Sequence, residues 1–147
     1  MSVELKRGCY LLNTDGGGGT YYGRRFGDPL GIAAIGALLR TRRLTTVAEI
    51  SEAIGPATHN VAEYRALIAG LKLARDRGIE RIRVYMDSEL VVDQMNGVSA
   101  VRQPHLRELH EVAQELVAQF ASIRISWVPR ELNVEADRLV KEALSAS

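Results

Sequence analysis

Apolar positions along the chain follow two rhythms, and the change from one to the other falls near residue 55. Cys9-Tyr10-Leu11-Leu12-Asn13-Thr14-Asp15 is strand-like and stops at Gly16-Gly17-Gly18-Gly19, a run that helix or strand accommodates only at a cost. The pattern therefore predicts Asp15 at a strand end. A loop through Tyr22, Arg24, Arg25 and Pro29 leads to Gly31–Arg40, whose Ile32, Ile35, Leu38 and Leu39 suit a buried strand. After the polar Thr41-Arg42-Arg43 turn, Leu44–Ile54 sets Leu44, Val47, Ala48, Ile50 and Ile54 among polar residues. Three such runs with short connections predict an antiparallel meander.

Beyond Gly55-Pro56 the period becomes helical. From about Thr58 to Arg77, Leu67, Leu71 and Ala74 recur at three and four, and Gly78 stands where a helix-ending glycine is expected. A strand over Ile79–Met86 places Ile82, Val84 and Met86 on one face and ends at Asp87. A short helix from Ser88 to about Asn96 breaks at Gly97. A longer one begins near Pro104, with Leu106, Leu109, Val112, Ala113, Leu116 and Val117 as its apolar stripe. Ser122–Val128 is a fifth strand stopped by Pro129, and Asn133 caps a last helix to about Leu144. The predicted order is βββ–α–β–αα–β–α, an α/β fold.

With 147 residues, 46% apolar and 25% charged, the chain has the makeup of one globular domain spanning residues 1–147, not of a disordered one. The longest near-apolar run, Gly31 to Leu39, is far short of the roughly 20 residues a membrane span needs. The first residues show no secretory pattern, and a lone Cys9 suits a reducing compartment, so a cytoplasmic protein is expected. Nineteen Lys and Arg against eighteen Asp and Glu leave a net charge of +1, which by itself argues weakly against a nucleic-acid partner. The cations are mostly arginine, which suits phosphate recognition, although base composition explains the bias equally well.

Four acids stand where a fold would not choose them. Glu63 precedes Leu67, Leu71 and Ala74 by four, eight and eleven positions and so shares their buried stripe, where a carboxylate is costly unless paired or bound to metal. Asp137 lies on or beside the buried face that Val140 and Leu144 define in the last helix. Asp15 and Asp87 end two strands joined through a helical crossover, and ligands of α/β sheets bind at the carboxyl ends of such strands. The aspartates have plainer readings: an Asp after a strand as a turn or cap residue, Asp87 before Ser88 among them, and Asp137 as a first-turn acid favoured by the helix dipole. Glu63 is harder to dismiss. Clustered carboxylates without cysteine or grouped histidines select Mg²⁺ or Mn²⁺, and three or four of them can hold two ions about 4 Å apart for attack of water on a phosphodiester.

Thr14-Asp15-Gly16-Gly17, then Thr58-His59-Asn60-Val61-Ala62-Glu63-Tyr64-Arg65-Ala66-Leu67, then Tyr85-Met86-Asp87-Ser88-Glu89-Leu90-Val91, and last Trp127 through Asp137 together resemble the type 1 ribonuclease H family. The resemblance covers essentially the whole chain. It implies a five-stranded mixed sheet, a meander of three antiparallel strands plus two parallel ones, flanked by helices. It also implies an endonuclease that cuts the RNA strand of RNA–DNA hybrids with two Mg²⁺ or Mn²⁺ ions. The family's four acids fall on Asp15, Glu63, Asp87 and Asp137: Asp15 would bridge both ions, Glu63 and Asp87 complete the water-activating side, and Asp137 the leaving side. Thr58 and Asn60 match positions that grip strand backbone and bases in the minor groove, where 2′-hydroxyls mark RNA. His59 between them, Gly16 and Gly17 after the first acid, and Arg130 complete the nucleic-acid contacts expected. Double-stranded RNA is a second candidate substrate; no membrane or obligate protein partner is expected, and a monomer is. The competing readings are a non-cleaving module for hybrid or duplex RNA, and a related two-metal nuclease for other nucleic acids.

Four features depart from the family pattern. The segment Pro129-Arg130-Glu131 holds no histidine where many members have a mobile one. Asn96–Leu106 has only Arg102 and His105 where some members carry a basic lobe, so weaker binding or use of Arg24 and Arg25 is expected. Glu89 replaces a frequent amide, and the insert Tyr21–Asp28 is longer than expected. Cys9 and Tyr64 read as core residues, Trp127 as a packing anchor and His110 as a helix-surface residue. If two divalent ions neutralise four acids, the loaded protein carries nineteen cations against fourteen remaining anions, and its grip on a polyanion depends on its metals.

Overall fold

A computed structural model describes residues 8–19 and 31–146. The insert Tyr21–Asp28, with Arg24 and Arg25, lies outside them. Strands β1 (Cys9–Gly18), β2 (Ile32–Arg40) and β3 (Thr46–Pro56) form the antiparallel meander. Helix α1 (His59–Asp76) crosses over to β4 (Arg81–Met86), which pairs parallel with β1. Helices α2 (Glu89–Met95) and α3 (Pro104–Val117) lead to β5 (Ser122–Trp127), parallel to β4, and a 3-10 turn (Arg130–Leu132) precedes α4 (Val134–Ala146). The single sheet runs β3-β2-β1-β4-β5. Both the element order and the mixed five-stranded sheet match the expected fold.

Helix α1 starts where the Thr58 hydroxyl accepts from the Val61 N–H, and it ends at Arg77 before Gly78 in the left-handed region. Its Leu67, Leu71 and Ala74 are fully buried in the main core with Leu12, Leu39, Ile82, Val84, Met86 and, from α3, Leu106 and Leu116. Helix α4 covers the opposite face of the sheet, where Val140 and Ala143 pack on Ala34.

The glycine run behaves differently from the sequence expectation, for a packing reason. Strand β1 continues through Gly18 and pairs with β2 up to Gly18↔Ala33, so Asp15 is inside the strand and not at its end. Successive residues of a strand point to opposite faces. A Cβ on Gly16 would overlap the Ala62 carbonyl and the Glu63 nitrogen of α1, and one on Gly17 would come within 2.6 Å of Val140 Cγ1 in α4. Helices press on both faces of the strand here, and contact at this range offsets the intrinsic cost of glycine in a strand.

Smaller corrections follow the same logic. Leu44 belongs to the β2–β3 turn with a positive φ of 66°, so β3 begins at Thr46. His110 is not a surface residue: it is half-buried, its Nε2 lies 3.2 Å from the Gln94 carbonyl oxygen, and its ring meets Tyr64 edge-on. Trp127 is 48% exposed and not a packing anchor, with its indole N–H donated to the Asp87 carbonyl. Cys9 is only half-buried, whereas Tyr64 is fully buried as expected.

Candidate active site

Three carboxylates converge beside the parallel strand pair. The β1–β4 register sets Thr14 opposite Met86, so Asp15 and Asp87 follow side by side where β4 ends and β1 runs on. Glu63 reaches them because Gly16 lets α1 lie directly on β1, and the Gly16 N–H donates to Glu63 Oε1 at 3.0 Å. Each of Asp15, Glu63 and Asp87 offers an oxygen within 4.8 Å of the others. Ser88, not Asp87, caps α2 by accepting from the Val91 N–H, which leaves the Asp87 carboxylate to the site.

The cluster is electrostatically costly without a cation. Asp15 is 6% and Glu63 1% exposed. Burial first, then the Asp87 charge, pushes the Asp15 carboxyl up to about 7. Glu63 is held well above its ordinary range by burial and by Asp15, against the favourable Gly16 amide. Its Oε2 is buried without a hydrogen-bond partner. A buried carboxylate oxygen without a hydrogen-bond partner, on one of three clustered carboxylates that are all hard donors, fits a divalent cation of the Mg²⁺ or Mn²⁺ type.

Asp137 stands beside this trio. It is close enough to Asp15 to raise that group's pKa, and it is paired with Lys141 Nζ at 2.9 Å and Arg130 Nη2 at 3.7 Å. All four acids except Glu63 line a cleft of about 400 Å³ with Gly16, Gly17, His59, Arg130 and Lys141. Of the expected nucleic-acid contacts, Gly16 commits its amide to Glu63 and Thr58 its hydroxyl to the α1 cap. His59 sits 3.8 Å from Glu63 Oε1, and burial lowers its pKa. Asn60 instead borders a neighbouring groove with Leu90, Arg102 and Gln103. Glu89 is exposed in the first turn of α2, where an acid suits the helix dipole.

Two residues were missed from the sequence. Lys141 follows Asp137 by one helical turn, a spacing that could have flagged it. Asn133 holds the expected cap position, its carbonyl accepting from the Asp137 N–H, but its side chain turns inward: Nδ2 donates to the Thr14 carbonyl at 3.0 Å and to Asp87 Oδ2 at 3.1 Å.

A five-stranded β3-β2-β1-β4-β5 sheet, with α1 and α4 on opposite faces and carboxylates gathered beside its parallel pair, is a ribonuclease H-like fold with an acidic centre. A family model described as reverse transcriptase-like matches residues 25–143. The bifunctional protein Rv2228c of Mycobacterium tuberculosis is 49% identical over 122 residues, covering 82% of this chain and 33% of that protein. This chain thus spans about a third of the length of the mycobacterial relatives it matches. The solved N-terminal RNase H domain of Rv2228c superposes with a TM-score of 0.83 at 45% identity, over 94% of each chain. RNase H1 of Halobacterium salinarum gives 0.83 at 38% identity, over 95% of this chain and all of the other. LC11-RNase H1, solved in complex with an RNA/DNA hybrid, gives 0.80 at 36%, over 93% and 97%. The chain belongs to the type 1 ribonuclease H family.

Proposed function

We propose that this chain is an endoribonuclease that hydrolyses the RNA strand of RNA–DNA hybrids, using Mg²⁺ or Mn²⁺ held by Asp15, Glu63, Asp87 and Asp137. The observation that carries this reading is the convergence of Asp15, Glu63 and Asp87 within 4.8 Å, with one buried carboxylate oxygen unpartnered. A module that only bound nucleic acid would gain nothing from anions gathered beside phosphate. The likeness to LC11-RNase H1, solved with a hybrid, supports the substrate class.

A pair of bound divalent ions would supply an activated water and screen charge on the phosphate. The chain's own residues do the rest. Asp15, beside the other acids, would serve both ions, with Glu63 and Asp87 completing the water-activating side and Asp137 the leaving side. Arg130, 75% exposed at the cleft, and Lys141, 69% exposed, can each leave Asp137 for a phosphate oxygen, since an exposed ion pair is weak. His59 borders the same cleft, and Asn60 and Thr58 lie at the start of α1, where a minor groove passing the acids would be met. The connection between α2 and α3 offers Arg102 as its one cation, so the grip on the duplex is modest and salt-sensitive. One catalytic domain spans residues 1–147. No helix among the described residues is long and apolar enough to cross a membrane.

Labelled hybrid, double-stranded RNA, double-stranded DNA and single-stranded RNA, each incubated with Mg²⁺ and with Mn²⁺, test the reading. It predicts internal cuts in the RNA of the hybrid and an intact DNA strand. Cleavage confined to DNA substrates points to a different two-metal nuclease. Hybrid binding without cleavage in either metal points to the non-cleaving module.

A further inference from the structure

Asp87 is held from behind by a line of polar side chains that crosses the sheet. Arg40, the last residue of β2, donates from Nη2 to Asn13 Oδ1 at 3.1 Å. Asn13 Nδ2 donates to Asn133 Oδ1 at 3.0 Å, and Asn133 Nδ2 donates to Asp87 Oδ2 at 3.1 Å. Asn13 is 6% and Asn133 1% exposed, so water does not compete for these bonds.

The line has a direction. A guanidinium only donates, so Asn13 must turn its oxygen to Arg40 and its NH₂ to Asn133. Asn133 then turns its oxygen to Asn13, and its NH₂ is left for the Thr14 carbonyl and Asp87. With both amides reversed, Arg40 would face an NH₂ group and Asp87 would face an amide oxygen. Both contacts are repulsive, and both are at least partly buried. Arg40 does not line the acidic cleft, yet from one end of the line it enforces the same amide orientation that the Thr14 carbonyl requires at the other, and so helps set which atom Asp87 meets.

We propose that Arg40 is a positioning residue for the acidic centre: acting through Asn13 and Asn133, it delivers a hydrogen-bond donor to Asp87 Oδ2 and so aims that carboxylate at the ion site. This rests on the function proposed above, because it gives Asp87 a metal to face. Partners one bond behind a metal ligand typically matter by about 10–100-fold in affinity or activity. Arg40 acts two amides further back, and a smaller effect of about three- to tenfold is expected.

The test is calorimetric Mn²⁺ binding to the substrate-free protein, paired with hybrid-cleavage kinetics at subsaturating metal, for the parent, Arg40→Met, Arg40→Lys, Asn13→Leu and the Arg40→Met/Asn13→Leu double variant. Arg40→Met should weaken Mn²⁺ binding three- to tenfold and lower kcat with the hybrid KM unchanged, and Arg40→Lys should restore both. Because the residues act in series, Arg40→Met should add nothing once Asn13 is Leu. Should Arg40→Met fail to fold, Arg40→Gln replaces it: its amide can turn either atom to Asn13, so it should bind Mn²⁺ more weakly than Arg40→Lys. Parental Mn²⁺ affinity in Arg40→Met or Arg40→Gln, or effects that add in the double variant, overturn the proposal. A parent that binds no Mn²⁺ overturns the metal reading itself, a separate outcome.

Discussion

Removing the charge of Asp15 should make the metal-free protein more stable at neutral pH while abolishing its response to metal. Asp15 is raised from an ordinary 3.8 to about 7 by burial and by Asp87. In the unfolded chain the carboxyl ionises near 4, so between pH 4 and 7 the native state holds a proton that the unfolded state has lost. Stability therefore falls as pH rises through this window and levels off above 7. About three units at about 1.4 kcal/mol each amount to about 4 kcal/mol, of which about 2 kcal/mol or a little more falls between pH 5 and 7, because the native group is half ionised at pH 7. For a domain of this size that is a loss of about 8 °C in melting temperature. His59 works against the trend, because with its pKa lowered by burial the stability rises as pH climbs towards its unfolded value and levels off above it. The comparison is therefore parent against Asp15→Asn, melted in chelator from pH 5 to 8 and again in Mg²⁺ or Mn²⁺. The parent should lose several degrees more than the variant in chelator. At a hundredfold excess of metal over Kd it should regain about 3 kcal/mol that the variant does not. Parallel curves for the two proteins in chelator would refute the electrostatic account.

Other expectations concern single contacts. Gly16→Ala pushes a methyl into the α1 backbone at Ala62 and Glu63 and should cost about 3 kcal/mol or more, read as a lowered melting temperature together with weakened metal binding. Tyr64→Phe removes the buried hydroxyl that donates to Gln94 Oε1 at 2.6 Å; denaturant unfolding should show a loss of about 1–2 kcal/mol, with cleavage unchanged. Lys141→Ala frees Asp137 from its closest cation, and the metal concentration giving half-maximal cleavage should drop by about two- to fivefold.

Much of the fold was legible because the chemistry involved is local. Leu67, Leu71 and Ala74 defined the buried face of α1, and the same spacing exposed Glu63 as a carboxylate on that face. The strand end at Asp87 is where the pattern set it, whereas Asp15 lies inside β1, and the β1–β4 register brings the two acids together. What stayed hidden depends on partners distant in sequence. The glycines after Asp15 read as a strand terminator because nothing nearby reveals that α1 and α4 press on both faces. Asn133 read as a cap because its partners, Asn13 and Thr14, lie 120 and 119 residues away. Arg40 carried no signal at all, since its role exists only through Asn13. His110 was misplaced for a related reason: Tyr64 and Gln94, from two other helices, draw it partly inward.

On the proposed function, Asp15, Glu63 and Asp87 form a metal-dependent centre for cutting RNA in a hybrid. A hybrid labelled on its RNA strand, incubated with the parent and with Asp87→Asn in Mg²⁺, Mn²⁺ or chelator, with hybrid binding measured in parallel, tests it most directly. Internal RNA cleavage by the parent is expected in at least one metal and none in chelator. Asp87→Asn should lose about a thousandfold or more, equivalent to about 4 kcal/mol of barrier, with hybrid binding retained. RNA cut equally well in chelator, or by Asp87→Asn, would contradict it.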